Sequence, residues 1–179
     1  MNGVHTWWIL SRGTGVAAML LAGLSVTSGL LAGRGRLFRL GRFGEIKPLH
    51  EALSVATIVL VLAHGLLLLG DSWLNPGLAG IAIPFASAYR PFWTGIGVLA
   101  GWGLILLGLS YYGRKWIGPT RWRTAHRFTA LFWIFSIFHT FGAGSDAGEL
   151  WLQIPVAAVS LPALVLLGMR LGGRPVAPA

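Results

Sequence analysis

Long apolar runs constrain this chain more than any other feature. A run of about twenty apolar residues can cross a hydrocarbon layer only as a helix, because lipid offers no partner to backbone N–H and C=O groups. Five such runs are present, at about 7–32, 48–69, 92–112, 120–141 and 150–171. Apolar types make up 55% of the 179 residues and charged types 11%, whereas a soluble domain carries about a quarter charged residues. The expected fold class is therefore all-α: a polytopic membrane helix bundle of about five transmembrane helices, a single domain over 1–179. The connections are short, so no soluble flavin or nicotinamide domain is expected. Pro48 opens the second run as a good first-turn residue. Gly118-Pro119 breaks the chain before the fourth run, and Pro155 and Pro162 are expected to kink the fifth. The start lacks a basic region ahead of its apolar run, so the first helix is expected to be retained rather than cleaved. The stretch from Ala79 to Ala88, in an oddly apolar connection, reads equally well as a short interfacial helix or lid and as an ordinary packed loop.

The formal net charge is +9, but the basic residues sit between apolar spans. That placement points to membrane topology and away from nucleic acid. Arg34, Arg36, Arg39, Arg42 and Lys47 fill the first connection, Arg114, Lys115, Arg121 and Arg123 the third, and Arg170 and Arg174 the tail. The opposite side has Arg90, Arg12 just inside the first helix, and the acids Asp71, Asp146 and Glu149. The positive-inside rule then puts the N-terminus outside and the C-terminus in the cytoplasm. The chain has no cysteine, which excludes disulfides, iron–sulfur clusters held by this chain alone and covalent c-type haem.

Four of the five histidines fall in two spans. His50 and His64 lie 14 residues apart on the second, and His126 and His139 lie 13 apart on the fourth. Both spans run in the same direction, so His50 pairs in level with His126 and His64 with His139. At ~1.5 Å per residue the two levels are about 20 Å apart. A b-type haem iron takes two axial imidazoles from opposite faces, and two such haems, one above the other, would move electrons across a lipid layer. A neutral imidazole is also far less costly in lipid than a fixed charge. One difficulty stands out. Fourteen steps of about 100° return to within about 40° of one face, whereas thirteen end about 140° away on a straight helix. The fourth helix must wind irregularly, or its two rings must reach differently. His5 precedes Trp7-Trp8 and reads as a surface residue beside interfacial aromatics.

These residues resemble the ferric reductase-like transmembrane family. That family includes the membrane domains of NADPH oxidases and ferric reductases and the haem-binding subunit of a bacterial methionine sulfoxide reductase system. The 14 and 13 spacings look like its bis-histidine dihaem pattern. Ser11-Arg12-Gly13-Thr14-Gly15 is similar to its small-residue-plus-arginine motif, and Tyr89-Arg90-Pro91, Trp122-Arg123 and His126-Arg127 look like the bacterial subunit. The resemblance covers roughly Trp7 to Gly142. It implies two haem b groups, paired on His50 with His126 and on His64 with His139, with Arg12 on a propionate of the outer haem. It implies an electron-transfer component of an oxidoreductase, taking electrons from a separate flavoprotein or quinol donor and passing them to ferric iron, oxygen or a redox protein. Relatives often have an additional leading helix and a cytoplasmic flavin and nicotinamide domain. Only Gly172 to Ala179 follow the fifth run here, so a separate donor is expected, and a bacterial inner membrane is the expected location.

Arg123 and Arg127 flank His126 and could hold haem propionates through paired donors; topology and anionic lipid explain them too. Glu51 beside His50 reads as a helix-start carboxylate or as a partner that orients the histidine. Trp122, Phe132, Trp133, Phe135 and Phe138 crowd the fourth run and suit either haem faces or ordinary packing. Gly97 and Gly101 form a small-residue pattern to which no functional weight attaches. Two other readings of the chain stay open at this point: a histidine-based metal-ion transporter, and a purely structural membrane subunit.

Overall fold

A computed structural model of the chain describes residues 4–33 and 46–172, with side chains from residue 6 onward. The expectations for the His5 side chain and for Arg34, Arg36, Arg39, Arg42 and Arg174 fall outside what is described. The described chain is all-helical: α1 (Val4–Ala32), α2 (Ile46–Leu68), α3 (Gly77–Ala82), α4 (Pro91–Leu109), α5 (Arg114–Ile117), α6 (Pro119–His126), α7 (Thr129–Ala143) and α8 (Leu150–Gly172). Four of these helices, within α1, α2, α4 and α8, are long and apolar enough to cross a membrane. The fold is thus an all-α polytopic bundle.

Two expected spans need correction. The third run stops being helical at Leu109 rather than at residue 112, where a series of tight turns leads into α5. The fourth run is two helices, α6 and α7, not one. The fifth run matches its expected bounds, with Pro155 and Pro162 inside a single helix. In the second connection the helical residues are Gly77–Ala82, a short α3 joined by left-handed residues at Asn75 and Phe85.

Local chemistry explains these ends. Pro91 starts α4, where its missing N–H costs nothing. Gly118 adopts a φ of 92°, a conformation that side chains resist, and Pro119 starts α6 directly after it. Inside the helices, hydroxyls turn back onto their own backbone. Thr14, Thr27, Ser28, Thr57, Ser136 and Thr140 donate to carbonyls three or four residues earlier. Such bonds let polar side chains sit in an apolar helix without an unmet donor.

α1 lies at the centre of the bundle. Its small residues permit close approach, which is how helices pack where lipid removes the hydrophobic incentive. α2 makes its most extensive contact with α1, and α7 with α4. α1 also touches α7 and α8, and α2 touches α4. Trp133 of α7, fully buried, packs with Ala22, Val26 and Leu30 of α1 and Ala163 of α8. Gly23 makes room there: a Cβ on it would strike Val159 and come within 3.0 Å of the Trp133 indole nitrogen. This arrangement leaves α2 and α7 diagonal to one another, and both are histidine-bearing.

Candidate haem-binding site

The α6–α7 segment runs antiparallel to α4 along its whole length. The Trp122 indole N–H donates to Ser110 Oγ at 3.1 Å near one end. The Arg90 Nη1 donates to Gly142 O at 2.7 Å at the other. Between α6 and α7 the chain leaves the α-helix for Arg127 and Phe128. Phe128 N–H bonds to Ala125 O and Leu131 N–H to Phe128 O, both spanning three residues. Thr129 Oγ1 donates to His126 O at 2.7 Å, so a side chain takes the bond that the helix backbone would have made. Three-residue turns advance about 120° per residue instead of about 100°. Each such step gains about 20°, so the two seen here recover only part of the roughly 140° that a 13-residue spacing lacks, and the reach of the two side chains makes up the rest. Irregular winding, one of the two ways the sequence left open, is therefore present immediately after His126, and differing ring reach must add to it.

As a result both histidines of α6–α7 face both histidines of α2. The His50 and His126 ring centres are 6.1 Å apart, and those of His64 and His139 are 6.2 Å apart. Each ring turns its Nδ1 away from its partner, onto a main-chain carbonyl of a neighbouring helix. His64 Nδ1 lies 2.8 Å from Ser11 O, His50 Nδ1 2.8 Å from Ser25 O, His139 Nδ1 2.9 Å from Trp93 O, and His126 Nδ1 3.3 Å from Leu107 O. A carbonyl only accepts, so the proton is on Nδ1 in all four rings, and a neutral imidazole then offers a bare lone pair at Nε2.

The four acceptors repeat the histidine spacing. Ser11 and Ser25 are 14 residues apart on α1, and Trp93 and Leu107 are 14 apart on α4. A glycine four residues beyond three of them gives the ring its space. A Cβ on Gly15 would come within 2.8 Å of His64, one on Gly29 within 3.0 Å of His50, and one on Gly97 would overlap His139. Gly97 therefore makes room for the His139 ring as well as allowing close helix approach. Trp122 stacks on His126 with ring centres 5.0 Å apart.

A metal–nitrogen bond of about 2 Å and about 1 Å from each nitrogen to its ring centre put two imidazoles on one iron with centres about 6 Å apart. A direct ring-to-ring hydrogen bond would bring the centres to about 5 Å. The residues present thus fit a metal held between opposed imidazoles. One histidine from α2 and one from α6–α7 would hold such a metal at each level, and a haem would supply the remaining ligands itself. Among the described residues no group of three or more His, Asp or Glu gathers as a self-sufficient metal site.

A cavity of about 510 Å³ opens at the His64–His139 level and is lined by both rings, by Gly15, Gly97 and Gly101, and by mostly apolar neighbours. That volume falls in the ~300–1,000 Å³ range of cofactor sites. The connection between α2 and α4 covers part of it through Trp73, Leu74, Gly80, Ile81 and Tyr89. Trp102 Nε1 donates to Ala82 O at 2.7 Å and Tyr89 Oη to Ala143 O at 3.2 Å, tying that cover down.

Arg12 also lines this cavity. Its Nε is 2.9 Å from Asp146 Oδ2, and its guanidinium lies over the Trp8 ring. Asp146, which in the sequence only balanced charge across the membrane, is therefore its partner here. Arg123 and Arg127 are both exposed on α6 and just after it. Glu51 is exposed and lies beyond the first turn of α2, so it is not a helix-start carboxylate, and His50 Nδ1 is oriented by Ser25 instead. Of the serines and glycines of α1, Ser25 and Gly29 were not singled out in the sequence, and Ser11 and Gly15 only as part of a motif resemblance. Their signal was legible: Ser-x-x-x-Gly occurs at 11–15 and again at 25–29, with the spacing of His50 and His64. The carbonyls of Trp93 and Leu107 left no such signal, because main-chain groups carry no residue type. No family model, curated protein or solved structure matches this chain.

Proposed function

We propose that this protein carries electrons across a membrane through two b-type haems, one between His50 and His126 and one between His64 and His139. The observation that carries the reading is the pair of opposed imidazoles at 6.1 and 6.2 Å, each with Nδ1 on a main-chain carbonyl, which leaves Nε2 as the basic nitrogen. When bound, each haem iron supplies a one-electron couple at its level of the bundle. The chain's residues do the rest. The carbonyls orient the rings and hold the tautomer, the glycines let the rings lie close to α1 and α4, and the apolar cavity wall excludes water.

The positive-inside pattern supports entry at the His50–His126 level from the cytoplasmic side, with a flavoprotein or quinol as donor. Exit is then at the His64–His139 level, to ferric iron, oxygen or a redox protein outside. The likeness to the ferric reductase-like family supports the same direction and a bacterial inner membrane. Arg12 would hold a propionate by exchanging Asp146 for it, and Arg123 and Arg127 are free to approach one at the other level.

The test is a reduced-minus-oxidised spectrum of the detergent-purified protein with a pyridine haemochrome count. A low-spin b-type spectrum and two haems per chain are expected. His64→Ala should leave one. Two haems surviving that substitution would assign the ligands elsewhere, and no haem in protein made with haem supplied would end the proposal.

A further inference from the structure

The hydroxyls of Ser11 and Ser25 have a forced proton arrangement. Ser11 Oγ donates to His64 O at 2.9 Å, so its proton is committed there. It also lies 3.0 Å from His64 Nδ1 and must meet that N–H with a lone pair. At the other level Ser54 Oγ donates to His50 O at 2.7 Å. Ser54 then has only a lone pair for Ser25 Oγ, 2.8 Å away, so Ser25 is the donor of that bond. Ser25 Oγ lies 3.1 Å from His50 Nδ1 and likewise has only a lone pair left for it. Each α2 histidine thus shares its Nδ1–H between the carbonyl and the hydroxyl of one serine. Ser28 Oγ, further away at 3.4 Å, spends its own proton on Ser25 O. His126 and His139 show a carbonyl alone among the described residues. Both serines are buried, at 1% and 6% exposure, so water does not substitute for them.

We propose that Ser11 and Ser25 are positioning residues that set the reduction potentials of the two haem sites, each through the α2 histidine it touches. This rests on the haem reading above. A second acceptor on Nδ1–H pulls the ring toward imidazolate and makes Nε2 a stronger donor. A stronger axial donor favours the ferric state and lowers the potential. The carbonyl contact is common to all four rings and fixes the tautomer. The hydroxyl contact is confined to α2 and is free to tune.

The experiment is a potentiometric redox titration of the purified full chain, with haem counted per polypeptide, for the unsubstituted protein, Ser11→Ala, Ser25→Ala and the hydroxyl-restoring Ser11→Thr and Ser25→Thr. Two haems should remain in each. Ser25→Ala should raise the potential of one haem and Ser11→Ala that of the other. The expected size is about threefold to tenfold in the reduced-to-oxidised ratio at fixed ambient potential, the worth of one hydrogen bond. Threonine should return it toward the original value. Potentials that stay put with two haems bound, a shift in both haems from one substitution, or loss of haem from an alanine variant would each overturn the proposal. Absence of haem from the unsubstituted chain would instead defeat the haem reading itself.

Discussion

α2 and the α6–α7 segment present the same two side chains at the same two levels, by different means. α2 is one uninterrupted helix, and its 14-residue spacing brings His50 and His64 to nearly one face without distortion. The α6–α7 segment has a spacing of 13, which on a straight helix would point His126 and His139 apart. It reaches the same geometry partly by leaving the helix at Arg127 and Phe128 and overwinding, with the Thr129 hydroxyl taking the freed His126 carbonyl, and partly by how far each ring reaches. The two pairs end within 0.1 Å of each other in ring separation. Ring placement, rather than helix regularity, is therefore what the two segments have in common.

Exchanging the two spacings gives the largest expected effect. Deleting Val59 leaves α2 with the 13-residue spacing but without a break, turning one histidine about 140° from the other. One of the two haems should be lost, by haemochrome count. Inserting one alanine between Arg127 and Phe128 gives α6–α7 the 14-residue spacing of α2. That segment can then straighten, and both haems should stay. If the insertion is the more damaging change, the break has a function beyond winding.

Alanine at the cradle glycines sharpens the comparison at the next level. Gly97→Ala should hurt most, Gly15→Ala less and Gly29→Ala least, following how closely the new methyl meets its histidine. Overpacking of this kind costs about 1–3 kcal/mol. Thermal unfolding in detergent and haem occupancy should fall in that order, and a flat series would mean that the rings shift freely. Single hydroxyl removals should act least, and Thr129→Val removes one hydroxyl bond worth about 0.5–1.5 kcal/mol. Thr57→Val is its counterpart on α2, where Thr57 Oγ1 bonds Leu53 O at 2.8 Å inside an intact helix. The Thr129 change should lower the midpoint more, because only there does the hydroxyl hold a break.

Much of this was readable beforehand. Hydropathy located the four long helices and the run that splits into α6 and α7, and the histidine numbers disclosed both the two levels and the misfit of thirteen residues. Gly118-Pro119 marked the start of α6. Nothing at Arg127-Phe128 announced the second break: neither residue is a helix breaker, and the device is a hydroxyl competing for a carbonyl, which many threonines do inside unbroken helices. Arg12 and Asp146 were each read alone, because 134 residues separate them in the chain and only the packing of α1 beside the α7–α8 turn joins them.

The sequence alone determined that this chain is a bundle of apolar helices, since lipid leaves the backbone no other way to satisfy itself. It also determined which four side chains could face one another, because periodicity along a helix follows from residue number. The tertiary structure decided what each histidine nitrogen does. That depends on which carbonyl of a neighbouring helix lies within about 3 Å of Nδ1, a distance set by small residues on α1 and α4 and by the packing of whole helices.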